Sequence, residues 1–332
     1  MSCSISVSRR LGWMGLLALP FLAHSESLPS SCWLKDASTP APSLVYVLCE
    51  QGQVYVTTDN GAKWAMRPSG AKTTLHAMGF TDAAHGIVVG DSGAILITGD
   101  GAKTWRTVPS GTTEHLLALF ATGTQAWAAG FDGVLLHSGD AGRSWEKQNS
   151  GTGLGLEGLY FADPDHGWAV GWAGTILRTA DGGKKWETIN SEAASWSLTS
   201  VYFRDLKEGW AVGFSGELLR SHDGGTTWKA LSSPVPNWLT SVAVDRAGRL
   251  WISADDQLLL SEDGGEKWRS VETGDDNLFF CKLLPVNGSL WALGQLGLMT
   301  QGASGTDWTR LATLVPAGAE MPGVDANVEA VK

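Results

Sequence analysis

Residues 166–186 read HGWAVGWAGTILRTADGGKKW. The apolar runs GWAVG and ILRT are each of strand length, and the small residues between them make a tight turn, so the stretch opens as strand, turn, strand. TADGGKKW (179–186) follows, with an aspartate and two glycines where a second hairpin must turn. A further strand starts at Trp186.

The motif that ends this stretch, Ser/Thr-x-Asp-x-Gly-x-x-Trp, recurs along the chain. It appears as TTDNGAKW (57–64), TGDGAKTW (98–105), SHDGGTTW (221–228) and SEDGGEKW (261–268), while SGDAGRSW (138–145) keeps Gly142 in register. A decayed copy, GASGTDW, ends at Trp308. The closing tryptophans at 64, 105, 145, 186, 228, 268 and 308 are spaced 41, 40, 41, 42, 40 and 40 residues apart. A period of this length signals a repeat architecture.

Further copies of the strand-turn-strand signature precede the motif, as in EGWAVGFSGELLRS (208–221) and QAWAAGFDGVLLHS (125–138). Upstream lies one more alternating run: LHAMGF (75–80), LEGLYF (156–161) and LTSVYF (198–203). Four strands in about 40 residues make one propeller blade. The expected fold is an all-β, seven-bladed propeller of four-stranded blades. The first unit, from Leu44, lacks an obvious first strand. VEAVK (328–332) matches the first-strand pattern, so a C-terminal strand over Val328 to Val331 is expected to close the ring; the competing reading is a frayed tail.

The motif aspartates Asp59, Asp100, Asp140, Asp181, Asp223 and Asp263 read as structural. Each sits in the hairpin between third and fourth strands, where a carboxylate accepts hydrogen bonds from turn amides. Calcium binding or catalysis is the alternative, but one carboxylate per blade at a turn is a scaffold pattern.

The chain has 332 residues, 42 of them glycine and 17 tryptophan, as expected of a turn-rich β protein. Arg9 and Arg10 followed by the 13 apolar residues Leu11 to Ala23 read as a leader, cleaved after Ser25 in Ala23-His24-Ser25. A retained membrane anchor is the alternative. Ser8-Arg9-Arg10-Leu11 carries a weak twin-arginine signal. The expected division is a signal peptide (1–25), an N-terminal extension (26–43) and the propeller (44–332). Losing Arg9 and Arg10 takes the formal charge from −10 to −12. That charge disfavours nucleic acid and docking to an anionic membrane surface. Cys32, Cys49 and Cys281 permit at most one bridge, with Cys32–Cys49 conceivable. No C-x-x-C or His/Cys cluster points to a metal, and no cofactor is expected.

WAVGxxGxILRTxDGGxxW is the pattern of the bacterial neuraminidase-type, or Asp-box, repeat. In this even, seven-fold form over about residues 44–310 the chain resembles the photosystem II stability/assembly factor family. That resemblance implies a non-catalytic propeller, exported to the periplasm or thylakoid lumen, that binds a membrane-protein complex or assembly intermediate. It also implies a basic partner patch, from which this acidic chain departs. Arg178 and Arg220 occupy equivalent places in blades four and five. They read either as a remnant of that patch or as partners of neighbouring Asp-box carboxylates.

Asp boxes also occur in sialidases, so an enzyme is the competing class. A sialidase needs a tyrosine nucleophile beside a carboxylate, an acid and an arginine cluster. Tyr46, Tyr55, Tyr160 and Tyr202 all fall in expected strands, and the histidines form no nucleophile–base pair. For a binder, the loops between second and third strands of blades three to five carry Phe131, Trp172 and Phe214. The corresponding positions elsewhere are Glu50, Asp91, Asp255 and Gln295. The loops into blades five and six carry Trp196 and Trp238. All five aromatics are expected on the face opposite the Asp boxes, as a partner site, unless they pack between blades. The expected function is a monomeric protein-binding scaffold; a glycosidase or carbohydrate-binding propeller is the alternative.

Overall fold

The computed structural model describes residues 33–50, 52–273, 279–294, 297–302 and 304–313. Among them the chain forms seven antiparallel four-stranded sheets, each from four strands consecutive in sequence. Blade four is typical, with Leu156–Phe161, Gly167–Gly171, Ile176–Thr179 and Glu187–Thr188. Its second strand, GWAVG, is buried at every position. Alternation is lost there because a neighbouring blade covers each face.

The inner strands of successive blades are Leu34–Ala41, Leu75–Phe80, Leu116–Thr122, Leu156–Phe161, Leu198–Phe203, Leu239–Val244 and Phe280–Val286. Residues from all seven line a narrow central channel, Asp36, Glu157 and Lys282 among them. Blade one corrects the sequence reading. Its inner strand is Leu34–Ala41, paired antiparallel with Leu44–Cys49, so the place assigned to a C-terminal strand is filled from the N-terminal side. LKDASTPA lacks the apolar alternation of the other inner strands, which is why its sequence hid it. Residues 328–331 lie outside the described residues, as do the leader, Cys32 and Gln295. Cys49 is disulfide-bonded, and Cys281 is a free thiol.

The core lies between blades. Trp127, Trp168, Trp210 and Trp251, on second strands, are among the largest fully buried side chains. Trp127 stacks on Phe161 of the next blade at 3.7 Å between ring centroids, and Trp168 on Phe203 at 3.6 Å. Each indole N–H also needs an acceptor in a dry interface. Trp127 donates to Gly182 O (3.0 Å), Trp168 to Gly224 O (3.0 Å) and Trp210 to Gly264 O (3.3 Å), all in the Asp-box turn of the following blade. The repeat motif is therefore an inter-blade latch as well as a turn.

Inside each turn the hydrogen bonds are shared out as the sequence pattern requires. In blade three, Ser138 Oγ donates to Asp140 Oδ1 (2.8 Å) and accepts from Gly142 N–H (2.8 Å). Asp140 also accepts from Ser144 N–H and Oγ–H. The Ser144 hydroxyl leads in holding the Asp140 carboxyl down at about 2, and the Thr104 hydroxyl does the same for Asp100, also about 2. Asp59, Asp181, Asp223 and Asp263 are likewise lowered, through their turn amides and hydroxyls against the opposing effect of burial. The turn needs two successive left-handed residues, as in Gly182 (φ 72°) and Gly183 (φ 86°). In blade two Ala102 takes the second place at φ 65°, with its methyl buried against its neighbours.

Blade seven replaces the decayed box. Gln301 stands where the other boxes have Ser or Thr, and its amide donates to Gly305 O at 2.9 Å. Arg249 of blade six donates to the same carbonyl at 2.6 Å. Trp251 turns its N–H to Asp245 instead (2.9 Å).

Candidate partner-binding face

The turn between second and third strands is built alike in blades two to five. In blade four Gly171 is extended, and a Cβ there would meet Gly155 O at 2.0 Å. Only glycine admits that close approach of the inter-blade loop. Trp172 N–H then donates to Gly155 O (2.9 Å), and Thr175 N–H to Trp172 O (3.0 Å). The same amide bond runs from Phe131 to His115 O and from Phe214 to Ser197 O, each 2.9 Å. The residue after the glycine is thus pinned at the rim of the ring, beside the loop from the preceding blade.

Trp172 (39% exposed), Trp196 (56%), Trp238 (41%) and Phe279 (50%) are exposed at this rim, while Phe131 and Phe214 are half-buried. The phenyl of Phe131 lies 5.1 Å from the indole of Trp172, and Phe214 stacks on Trp238 at 4.6 Å. Such offset and tilted contacts hold the rings at fixed orientations. Trp172 Nε1–H donates to Glu157, whose carboxyl burial pushes up against that bond's lowering effect. Trp238 and Phe279 flank a recess of about 360 Å³ at the channel mouth, with Glu157 and Asp255 as its acidic groups. Desolvation raises Asp255 as well.

The five aromatics expected on one face are therefore arrayed along it, in the order of the blades. Arg178 and Arg220 are elsewhere, near the Asp-box end of their strands, and the pairing expected for them is corrected. Arg178 donates to Thr226 Oγ1 and Gly224 O in the next blade's turn and pairs with Glu187 at 3.4 Å. Arg220 pairs with Glu208 and, at 3.2 Å, with Glu266, and lies over the Trp210 ring. Their partners are glutamates, among them Glu266 inside the next blade's box, together with a threonine hydroxyl and turn backbone, and not the motif aspartates themselves.

Two features were missed in the sequence. Phe279 immediately precedes an inner strand, as Trp238 does, and aligning loops by strand register finds it. His76, Asp91 and His115 also come together on this face, although the sequence showed no histidine cluster. His76 Nε2 and His115 Nδ1 each lie 2.6 Å from Asp91 Oδ1. Burial alone would raise the Asp91 carboxyl, and these two hydrogen bonds bring it below its usual value.

A search of the curated proteins finds no match to the sequence. Among solved structures the chain is similar to YCF48 bound to D1 peptide, at 20% identity and a TM-score of 0.70 over 85% of this chain and 96% of that one. It is similar to YCF48 from Cyanidioschyzon merolae at 18% identity and a TM-score of 0.68, over 82% and 96% of the two chains. A GH74 xyloglucanase from Xanthomonas campestris shares the propeller at 14% identity and a TM-score of 0.71, over 87% of this chain but 55% of that one. At these identities the likenesses speak for the fold. The model of the family described as Photosynthesis system II assembly factor YCF48 matches residues 69–155 and 151–238, about half of the sequence, and the chain belongs to that family.

Proposed function

We propose that this protein is an exported, non-catalytic scaffold that holds a segment of a membrane protein, or of its assembly intermediate, on the periplasmic or lumenal side. The observation that carries the reading is the row of exposed aromatics, Trp172, Trp196, Trp238 and Phe279, on the face opposite the Asp boxes. Large rings held by their own neighbours lose little entropy on binding and dominate interface energetics. The acidic mouth formed by Glu157 and Asp255 suits a segment that carries positive charge. Family membership supports an assembly role, and a relative of the same fold has been solved with a D1 peptide.

A catalytic reading has less support. Burial raises the phenols of Tyr46, Tyr160 and Tyr202, which disfavours the phenolate a tyrosine nucleophile would use. Export follows from the leader, with cleavage after Ser25, and is checked by sequencing the N-terminus of the protein recovered from the cell envelope. The function is tested by affinity capture from detergent-solubilised membranes with a tagged chain. The reading expects one integral membrane protein to be enriched, and to be lost with the W172A/W196A/W238A triple. Enrichment of none, or equal enrichment by the triple, removes the aromatic face from consideration.

A further inference from the structure

We propose that His76, Asp91 and His115 form a binding site for one divalent transition-metal ion of the zinc class. The three ligands come from three separate places. His76 lies on the inner strand of blade two, Asp91 opens that blade's turn between second and third strands, and His115 immediately precedes the inner strand of blade three. Backbone hydrogen bonds fix two of the positions. Asp91 N–H donates to Thr74 O, and His115 O accepts from Phe131 N–H, each at 2.9 Å. The ligands are therefore held by the blade scaffold and not by a free loop.

The donor atoms converge on one point. The three lie within 4.8 Å of one another, with both imidazole nitrogens 2.6 Å from the same carboxylate oxygen. A tetrahedral ion with ligand bonds of about 2.0–2.1 Å spaces its donors roughly 3.3 Å apart. All three side chains are partly open to solvent (25%, 27% and 42% exposed), which leaves them room to rotate toward that spacing. Two imidazoles and one carboxylate are the donor set of zinc and its neighbours, and they do not suit calcium or magnesium.

The site also adjoins the aromatic row. The His115 ring lies 5.1 Å from Phe131, which in turn meets Trp172. Of the other histidine–carboxylate pairs, His85–Asp82 and His166–Asp163 bring only one imidazole each and serve as internal controls. The inference does not depend on which partner the face takes.

The experiment is calorimetric titration of zinc chloride into untagged, chelator-treated protein. One ion per chain is expected, with affinity reduced about tenfold or more by H76A, by H115A and by D91N, and unchanged in H85A/H166A. Circular dichroism and thermal melting establish that each variant is folded. For any variant that does not fold, cobalt(II) titration of the wild-type chain takes its place, and visible bands of a tetrahedral nitrogen/oxygen site are expected. No saturable binding, binding indifferent to H76A and H115A, or a cobalt spectrum without those bands overturns the proposal.

Discussion

Asp36 and Lys282, 246 residues apart, form an ion pair that joins the inner strands of the first and last blades. The Asp36 carboxylate also accepts from Met78 N–H of blade two at 2.8 Å and from Ala37 N–H at 2.8 Å. One nearly buried side chain thus ties together three blades at the seam of the ring. Asp36→Ala leaves the buried Met78 amide without its acceptor and is expected to cost about 2–4 kcal/mol. Lys282→Ala is expected to cost less, since Asp36 keeps both amide donors. Urea unfolding of the two singles and the double measures the pair, and a D36A midpoint equal to wild type would show that the seam is held by other contacts.

The inter-blade latches carry a second prediction. Trp168→Phe keeps an aromatic ring against Phe203 but removes the N–H that reaches Gly224 O. A loss of about 2 kcal/mol is expected from the missing bond and the smaller ring. At the decayed box, the Arg249 guanidinium does the corresponding work toward Gly305 O. Arg249→Met is expected to destabilise the sixth-to-seventh interface as much as Trp168→Phe does the fourth-to-fifth, because the buried Asp245 carboxylate loses its guanidinium partner and keeps only the Trp251 N–H, the Gln301 amide and the backbone amides of residues 247 and 249. Thermal melting of the two variants compares them directly.

These latches show what the sequence made legible. The even spacing of seven tryptophans gave blade number and strand order, because each box is a local turn whose requirements are written in adjacent residues. Contacts between blades are not written locally. The acceptor for Trp168 is 56 residues away, and Arg249 replaces an indole by chemistry that no motif encodes. LKDASTPA escaped notice as a strand because its position 36 carries a carboxylate aimed into the seam, where other inner strands alternate apolar residues. The aromatic row was visible through loop register, whereas His76, Asp91 and His115 needed the fold to meet.

Acid should loosen the Asp-box turns together. The Asp100 and Asp140 carboxyls titrate at about 2 in the folded chain, below their ordinary value of 3.8. A depressed folded value means the stabilisation is complete above the unfolded value and is lost as pH falls through about 2. The urea midpoint is therefore expected to fall between about pH 4 and pH 2, with a shallower fall in D100N/D140N. Within the same turn, Ser138→Ala deprives the buried Gly142 amide of its acceptor, and a loss of about 1–3 kcal/mol is expected at neutral pH.

The aromatic face separates binding from stability by magnitude. Trp172, Trp196 and Trp238 each leave a large part of the ring in solvent, so truncation to alanine forfeits only part of a tryptophan's packing. Trp196 is the most exposed and should change stability by no more than about 0.5 kcal/mol, as surface positions do. Trp172 and Trp238 also lose contact with Phe131 and Phe214, about 1 kcal/mol each on the scale of aromatic pairs. A buried interface anchor, by contrast, costs about 2 kcal/mol or more in binding, roughly thirtyfold in affinity. The W196A variant is therefore expected to melt with the wild-type chain yet capture far less of the membrane partner. Undiminished capture by W196A would confine the contact to the Phe131–Trp172 and Phe214–Trp238 pairs, and equal losses in melting and capture would assign these rings to the fold.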